Sequence, residues 1–137
     1  MDAAPTPPVG PTRLAPLASR YVDVEARPWE ATRWPGIEIK MLLQDEPSGL
    51  QTLLMRMAPG ASLPLHEHVR IEQTFVLEGS LKDSEGEAKA GSFVWRPAGS
   101  RHVAHAPRGC LLIGFFLAPN RFFDADDSAP GRRPEGG

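Results

Sequence analysis

The chain has 137 residues, 41% of them hydrophobic, and a formal charge of −2 at pH 7, which suits one domain with one core and is too little for two. That charge gives no electrostatic case for nucleic acid or an anionic membrane, no apolar run reaches the roughly 18 residues of a membrane span, and the start lacks the basic-then-apolar order of a signal peptide. The single cysteine, Cys110, excludes an internal disulfide and suits a reducing compartment, so a cytoplasmic location is expected.

Residues 1–19 carry Pro5, Pro7, Pro8, Pro11 and Pro16 and few large apolar groups, and read as a flexible arm before a domain at 20–119. Ile37–Gln44 reads as a strand, Asp45–Gly49 as a turn and Leu50–Met57 as the hairpin partner; Ala58-Pro59-Gly60 turns the chain again. Ile71–Leu77 is expected as a strand, Glu78-Gly79 as a turn, Leu81–Asp83 as a short strand and Ser84–Glu87 as another turn. Phe93–Arg96, His102–Ala106 and Leu111–Leu117 complete the strands, and 120–137, rich in acidic residues, Pro and Gly, reads as a flexible tail. No segment shows apolar residues at helical spacing and there is no internal repeat. Short strands between Gly/Pro turns predict an all-β barrel or sandwich.

Three of the four histidines fall in two short segments. His66 and His68 are two apart, so on a strand they share a face; Glu72 follows, and His102 must be delivered by folding. Three imidazoles and a carboxylate form an N/O donor set that suits Fe(II), Zn, Ni, Cu or Mn. A carboxylate facing a barrel interior is costly unless it meets a cation or a hydrogen-bond network, so Glu72 is expected either as a fourth ligand or as the group that orients an imidazole or a bound water. His105, three residues after His102, is expected on the opposite face. Arg96 and Arg101 flank the second segment and could clamp an anion, although surface pairing is the commoner use of such residues. Phe75, Phe93, Trp95, Phe115 and Phe116 are expected in the core or at an interface, and Met41, Met55 and Met57 near an apolar pocket. Apolar residues are dense in Leu50–Met57 and Cys110–Leu117, more than a small barrel can absorb, so a homodimer is expected. No Ser-His-Asp or Cys-His-Asn pattern and no Gly-rich phosphate loop is visible.

These segments resemble the two signature motifs of the cupins. The first reads Gly60-ASLPL-His66-Glu-His68-VRI-Glu72-QTFVLE-Gly79, the second Gly91-SFVWR-Pro97-Ala-Gly99-SR-His102-VAH, with Ala106 where the family often has Asn. The resemblance implies a single-domain jelly-roll barrel (a double-stranded β-helix) in which His66, His68, Glu72 and His102 bind one divalent metal, Fe(II) first and Zn, Ni or Mn otherwise. Within the superfamily the chain is most similar to small diketone-cleaving dioxygenases and to the cupin domain of zinc-dependent anti-sigma factors. The first implies a non-haem Fe(II) dioxygenase cleaving a carbon–carbon bond in a diketone, hydroxyketone or related enolisable substrate, with Glu72 in the catalytic machinery. The second implies a zinc-binding module sensing a small molecule or oxidant; a metal-dependent isomerase or lyase is a third reading, since cupins support many chemistries. The anti-sigma relatives carry a further N-terminal metal-binding domain, whereas the residues before 20 hold neither Cys nor His, which argues against a stand-alone anti-sigma factor.

Overall fold

Residues 16–123 are described by the computed structural model, so residues 1–15 of the arm expected at 1–19 and 124–137 of the tail expected at 120–137 lie outside the described residues. After a short 3-10 turn at Val24–Ala26 the chain forms ten strands: β1 Glu30–Ala31, β2 Ile37–Asp45, β3 Leu50–Met57, β4 Ser62–Glu67, β5 Glu72–Lys82, β6 Glu87–Lys89, β7 Phe93–Arg96, β8 Arg101–His105, β9 Cys110–Phe116 and β10 Arg121–Phe122. All pairings are antiparallel, in the order β1-β2-β3-β9-β5-β8-β4-β10, with β6 and β7 also pairing β5. The all-β expectation holds, and no helix among the described residues is long and apolar enough to cross a membrane.

Alternation along the strands curls this sheet around one interior. Leu53, Met55 and Met57 of β3, Val76 of β5 and Leu112 and Phe116 of β9 are buried, while their strand neighbours Leu54, Phe75, Ile113 and Phe115 lie at or near the surface. Burying a Leu, Met or Phe side chain contributes roughly 1.5–3 kcal/mol each, so this inner row holds the sheet in its curl.

The longest strand, β5, crosses from one side of the curl to the other. Glu72–Phe75 pairs with β7, Glu72–Gly79 pairs with β9, and Ser80–Lys82 pairs with β6 and, through Lys82, with β8. The sequence led us to expect a turn at Glu78-Gly79; instead the strand continues through a register shift between Val76 and Glu78. Gly79 has φ +72, and a Cβ on it would lie 2.0 Å from the Gly109 carbonyl oxygen. Glycine serves here to let two backbones touch within a bulged strand rather than to reverse the chain. Four of these strands were not expected: β1, β4, β6 and β10. Glu87–Lys89 forms β6 beyond the Asp83 turn, and β10 pairs with β4 past the expected boundary at 119, burying Phe122 at 1% exposure.

A substitution pair separates conformational cost from steric cost. Gly91 has φ +87 with open space around its missing Cβ, so Gly91→Ala should cost about 1–2 kcal/mol for the left-handed backbone alone. Gly79→Ala should cost clearly more in denaturant unfolding, since it adds the clash with Gly109. Equal losses would show that the close approach relaxes freely.

Candidate metal centre

The three motif histidines reach the interior by different routes. On β4, Leu63 faces inward opposite Ala104, and strict alternation from there would turn His66 outward. A bulge between Leu63 and His66 inserts one extra residue against β8, so His66 faces inward directly across from His102. His68 lies just past the strand, where its N–H donates to Ser100 O at 2.9 Å and its carbonyl accepts from Gly99 N–H at 2.7 Å. Gly99, at φ +91, makes the turn that brings this clasp to His68. His102 comes in on β8, with Ala104 buried two residues later and His105 on the other face, as its spacing suggested.

Among the described residues, His66, His68 and His102 form one group of potential metal donors, with one donor atom from each within 4.8 Å of the others. Hydrogen bonds indicate which nitrogen each ring offers. His66 Nδ1–H donates to Pro64 O at 2.8 Å, and His102 Nδ1–H to Asp83 Oδ2 at 2.9 Å. His68 Nδ1–H donates to Ser100, whose hydroxyl is itself committed as a donor to Pro97 O at 2.7 Å. Every Nδ1 is thus occupied by an oxygen acceptor, which leaves each Nε2 lone pair available, the outer arrangement that metal-binding imidazoles require. Burial first, then the neighbouring imidazoles, lowers His66 to about pH 3 against the pull of its Pro64 bond. Burial first, then the Arg96 charge, lowers His102 to about 4 against the pull of Asp83. At neutral pH both rings are unprotonated and ready to ligate.

Glu72 begins β5 beside this group and outside the mutually close set. Its Oε1 lies 2.7 Å from His68 Nε2, yet that nitrogen has no hydrogen-bond partner of proper geometry. With the His68 proton on Nδ1, the contact opposes a lone pair to a carboxylate and needs a shared cation or proton between them. Burial would raise the Glu72 carboxyl; the Arg96 charge favours its ionised form, as would a proton or cation shared with His68 Nε2. Thr74 Oγ1–H donates to its Oε2 at 3.1 Å.

Asp83 is the residue that sequence reasoning placed in a short strand and gave no role. Its Oδ1 accepts the N–H groups of Glu85 and Gly86 at 2.8 and 3.0 Å, while Oδ2 accepts from His102 and from Arg96 Nη1 at 2.7 Å. Burial would raise this carboxyl, but the Glu85 N–H, His102 and Arg96 together lower it to about 2. The Asp-x-x-Gly turn was legible as a turn; that its second oxygen orients a ligand was not. Phe122, also unforeseen, pairs with His66 across β10 and stacks at 5.1 Å on its ring and 4.5 Å on Trp34. Arg101 is half-exposed and pairs with Glu67 at 3.2 Å, outside the centre. A small interior chamber of about 30 Å³ adjoins the histidines, walled by Leu53, Met55, Met57, Leu112 and Phe116, with Glu72, Arg96 and Asn120 among the polar groups facing it.

The ChrR cupin-like domain family matches residues 17–119. No curated protein matches the chain. Among solved structures, an acetylacetone dioxygenase from Acinetobacter johnsonii is 19% identical at a TM-score of 0.72, covering 95% of this chain and 91% of that one. A candidate acetylacetone dioxygenase from Methylibium petroleiphilum is 23% identical at 0.74, covering 85% and 88%. A chain of the Rhodobacter sphaeroides complex of SigE with the anti-sigma ChrR is 22% identical at 0.60, covering 68% of this chain and 51% of that one. At these identities the likeness establishes the cupin fold.

If Asp83 orients His102, Asp83→Asn should leave the fold intact and weaken divalent-metal affinity by about 10–100-fold. Competition with a chromophoric chelator measures this; an unchanged affinity would remove Asp83 from the centre.

Proposed function

The chain belongs to the ChrR cupin-like domain family, and from that membership we propose that it is a metal-dependent cupin enzyme, a non-haem Fe(II) dioxygenase that cleaves a carbon–carbon bond in a small diketone, hydroxyketone or related enolisable compound. The observation that carries this reading is the three-histidine set, with one donor atom of each ring within 4.8 Å of the others and every Nδ1 hydrogen-bonded to an oxygen, which frees every Nε2. His66, His68 and His102 would hold the ion, and a set of three protein donors leaves positions for substrate. Fe(II) supplies the redox chemistry when bound. Glu72 stands ionised at the edge of the set, where Oε1 can take the proton that an enolisable carbon gives up on binding. Thr74 holds the other carboxylate oxygen and so fixes which one faces the substrate. Apolar side chains around the chamber keep bulk water from the reacting atoms.

One observation favours a second reading. The matching family takes its description from ChrR, and a chain of the SigE–ChrR complex shares the fold, so a zinc-loaded module sensing a small molecule or oxidant is the alternative. Zinc cannot activate O2, having a filled d shell. The Fe(II)-loaded protein should therefore consume O2 with an enolisable dicarbonyl while the zinc form does not, and His66→Ala with His68→Ala should abolish both metal retention and uptake. Absence of uptake from iron-loaded protein across diketones, hydroxyketones and related acids would favour the sensor.

The partner that the surface suits is a second copy of the chain. On the outer face of the curl, Phe75 lies between Phe93 and Ile113 in register, and Gln73 between Trp95 and Phe115. Trp95 is 57% and Phe93 53% exposed, an apolar sheet face where polar residues normally meet water. Light scattering at micromolar concentration should give a dimer, and Phe75→Glu with Trp95→Glu a monomer of unchanged fold. A monomeric wild-type protein would contradict the assignment.

A further inference from the structure

We propose that Arg96 selects the ligand of this site, and that the chamber, at about 30 Å³ too small without side-chain movement, opens to take a small keto acid, recognised through its carboxylate, in preference to an uncharged compound of the same shape. The inference rests on the metal reading of the three histidines and is independent of the oxygen chemistry.

Arg96 ends β7 with its side chain 11% exposed and faces the chamber together with His66, Glu72, His102 and Asn120, among walls that are otherwise apolar. Its guanidinium is pinned at one corner only. Nη1 donates to Asp83 Oδ2 at 2.7 Å, and Asp83 is itself fixed by the two backbone N–H groups of its turn. Nε stands 4.0 Å from Glu72 Oε1, beyond hydrogen-bonding range, and Nη2 has no hydrogen bond among the described residues. Nε–H and the adjacent Nη2–H form one edge of the planar group, and that two-donor edge matches the two oxygens of a carboxylate. Asp83 therefore holds the fork in place, while its Nε edge makes no hydrogen bond and has only the ion pair to Glu72 at 4.0 Å.

The charge balance points to an anionic occupant. Glu72 and Asp83 exceed Arg96 by one negative charge, and imidazoles bind metal as neutral ligands. A divalent ion therefore leaves the centre one unit positive in an apolar pocket, and a monoanion cancels it. Arg96 also stands near the ligand set, with its Nε 4.0 Å from Glu72 Oε1, which is itself 2.7 Å from His68 Nε2.

The test uses the full-length zinc-loaded protein, so that no turnover intervenes, and titrates acetoacetate and acetoacetamide by calorimetry. The two share size and ketone and differ in carboxylate against amide. Wild type should prefer acetoacetate, and Arg96→Gln should reduce that preference by about tenfold to a hundredfold, as expected for a charge-assisted bidentate pair. Arg96→Lys, with charge but no fork, should fall between. Zinc stoichiometry is measured for each protein. A wild type that holds zinc without preferring acetoacetate, or a preference unchanged in Arg96→Gln, overturns the proposal and leaves the metal site standing. Failure of wild type to hold zinc overturns the metal reading itself. If Arg96→Gln loses zinc, Arg96→Lys decides; loss of zinc from both makes Arg96 a structural residue and overturns the proposal.

Discussion

Three imidazoles buried around one point impose the constraint on which this structure depends. A buried imidazole must be unprotonated or paired, and its N–H must find an acceptor. Here each ring satisfies that rule outward, to Pro64 O, Ser100 or Asp83, and each is left with a lone pair inward. Lone pairs that converge with an ionised Glu72 beside them are electrostatically unfavourable without a cation. The fold accepts that cost, and the bulge on β4, the Gly99 clasp on His68 and the Asp83 turn all act to keep the lone pairs converging.

The same economy governs β5. One strand serves both sides of the curl because Gly79 lets it pass against Gly109 through a bulge. That passage sets Glu72 at one end, beside the histidines, and leaves Asp83 immediately beyond the other end, behind His102. Two carboxylates with different tasks therefore come from one continuous element. Their environments differ accordingly. Glu72 stays ionised against burial through Arg96 and a cation or proton shared with His68, and Asp83 through backbone N–H groups, His102 and Arg96. Arg96 reaches the pair from β7, the neighbour of the Glu72 end of the strand. Function and topology meet in that register.

The outer face of the barrel is organised by a different pressure. Its inner row is complete with Leu53, Met55, Val76, Leu112 and Phe116, yet the alternate positions are also large and apolar. The curled sheet has no second interior to offer them, so the surplus stands at the surface of β5, β7 and β9.

The sequence by itself determined the all-β class, most strand positions and the three histidines, because period-two alternation and Gly/Pro turns are local, and because the spacing His66-x-His68 with a distant His102 carries its chemistry in the residue types. It also placed His105 on the opposite face by counting alone. Glu72 was legible as a carboxylate needing a cation or a hydrogen-bond network, and the structure supplies His68 and Thr74 as its neighbours. Only tertiary structure decided the rest. The phase of His66 depends on a bulge whose extra residue is defined against β8, so no reading of β4 alone could give it. Gly79 was taken for a turn because a glycine's positive φ serves a turn or a bulge equally well, and the choice was made by contact with Gly109. Asp83, Arg96 and Phe122 gained their places from cross-strand partners distant in the chain, and Phe122 lay in a polar stretch whose composition hid one buried ring. Local pattern fixes which residues face inward along a strand; which of them meet is a property of register, and register is settled by packing.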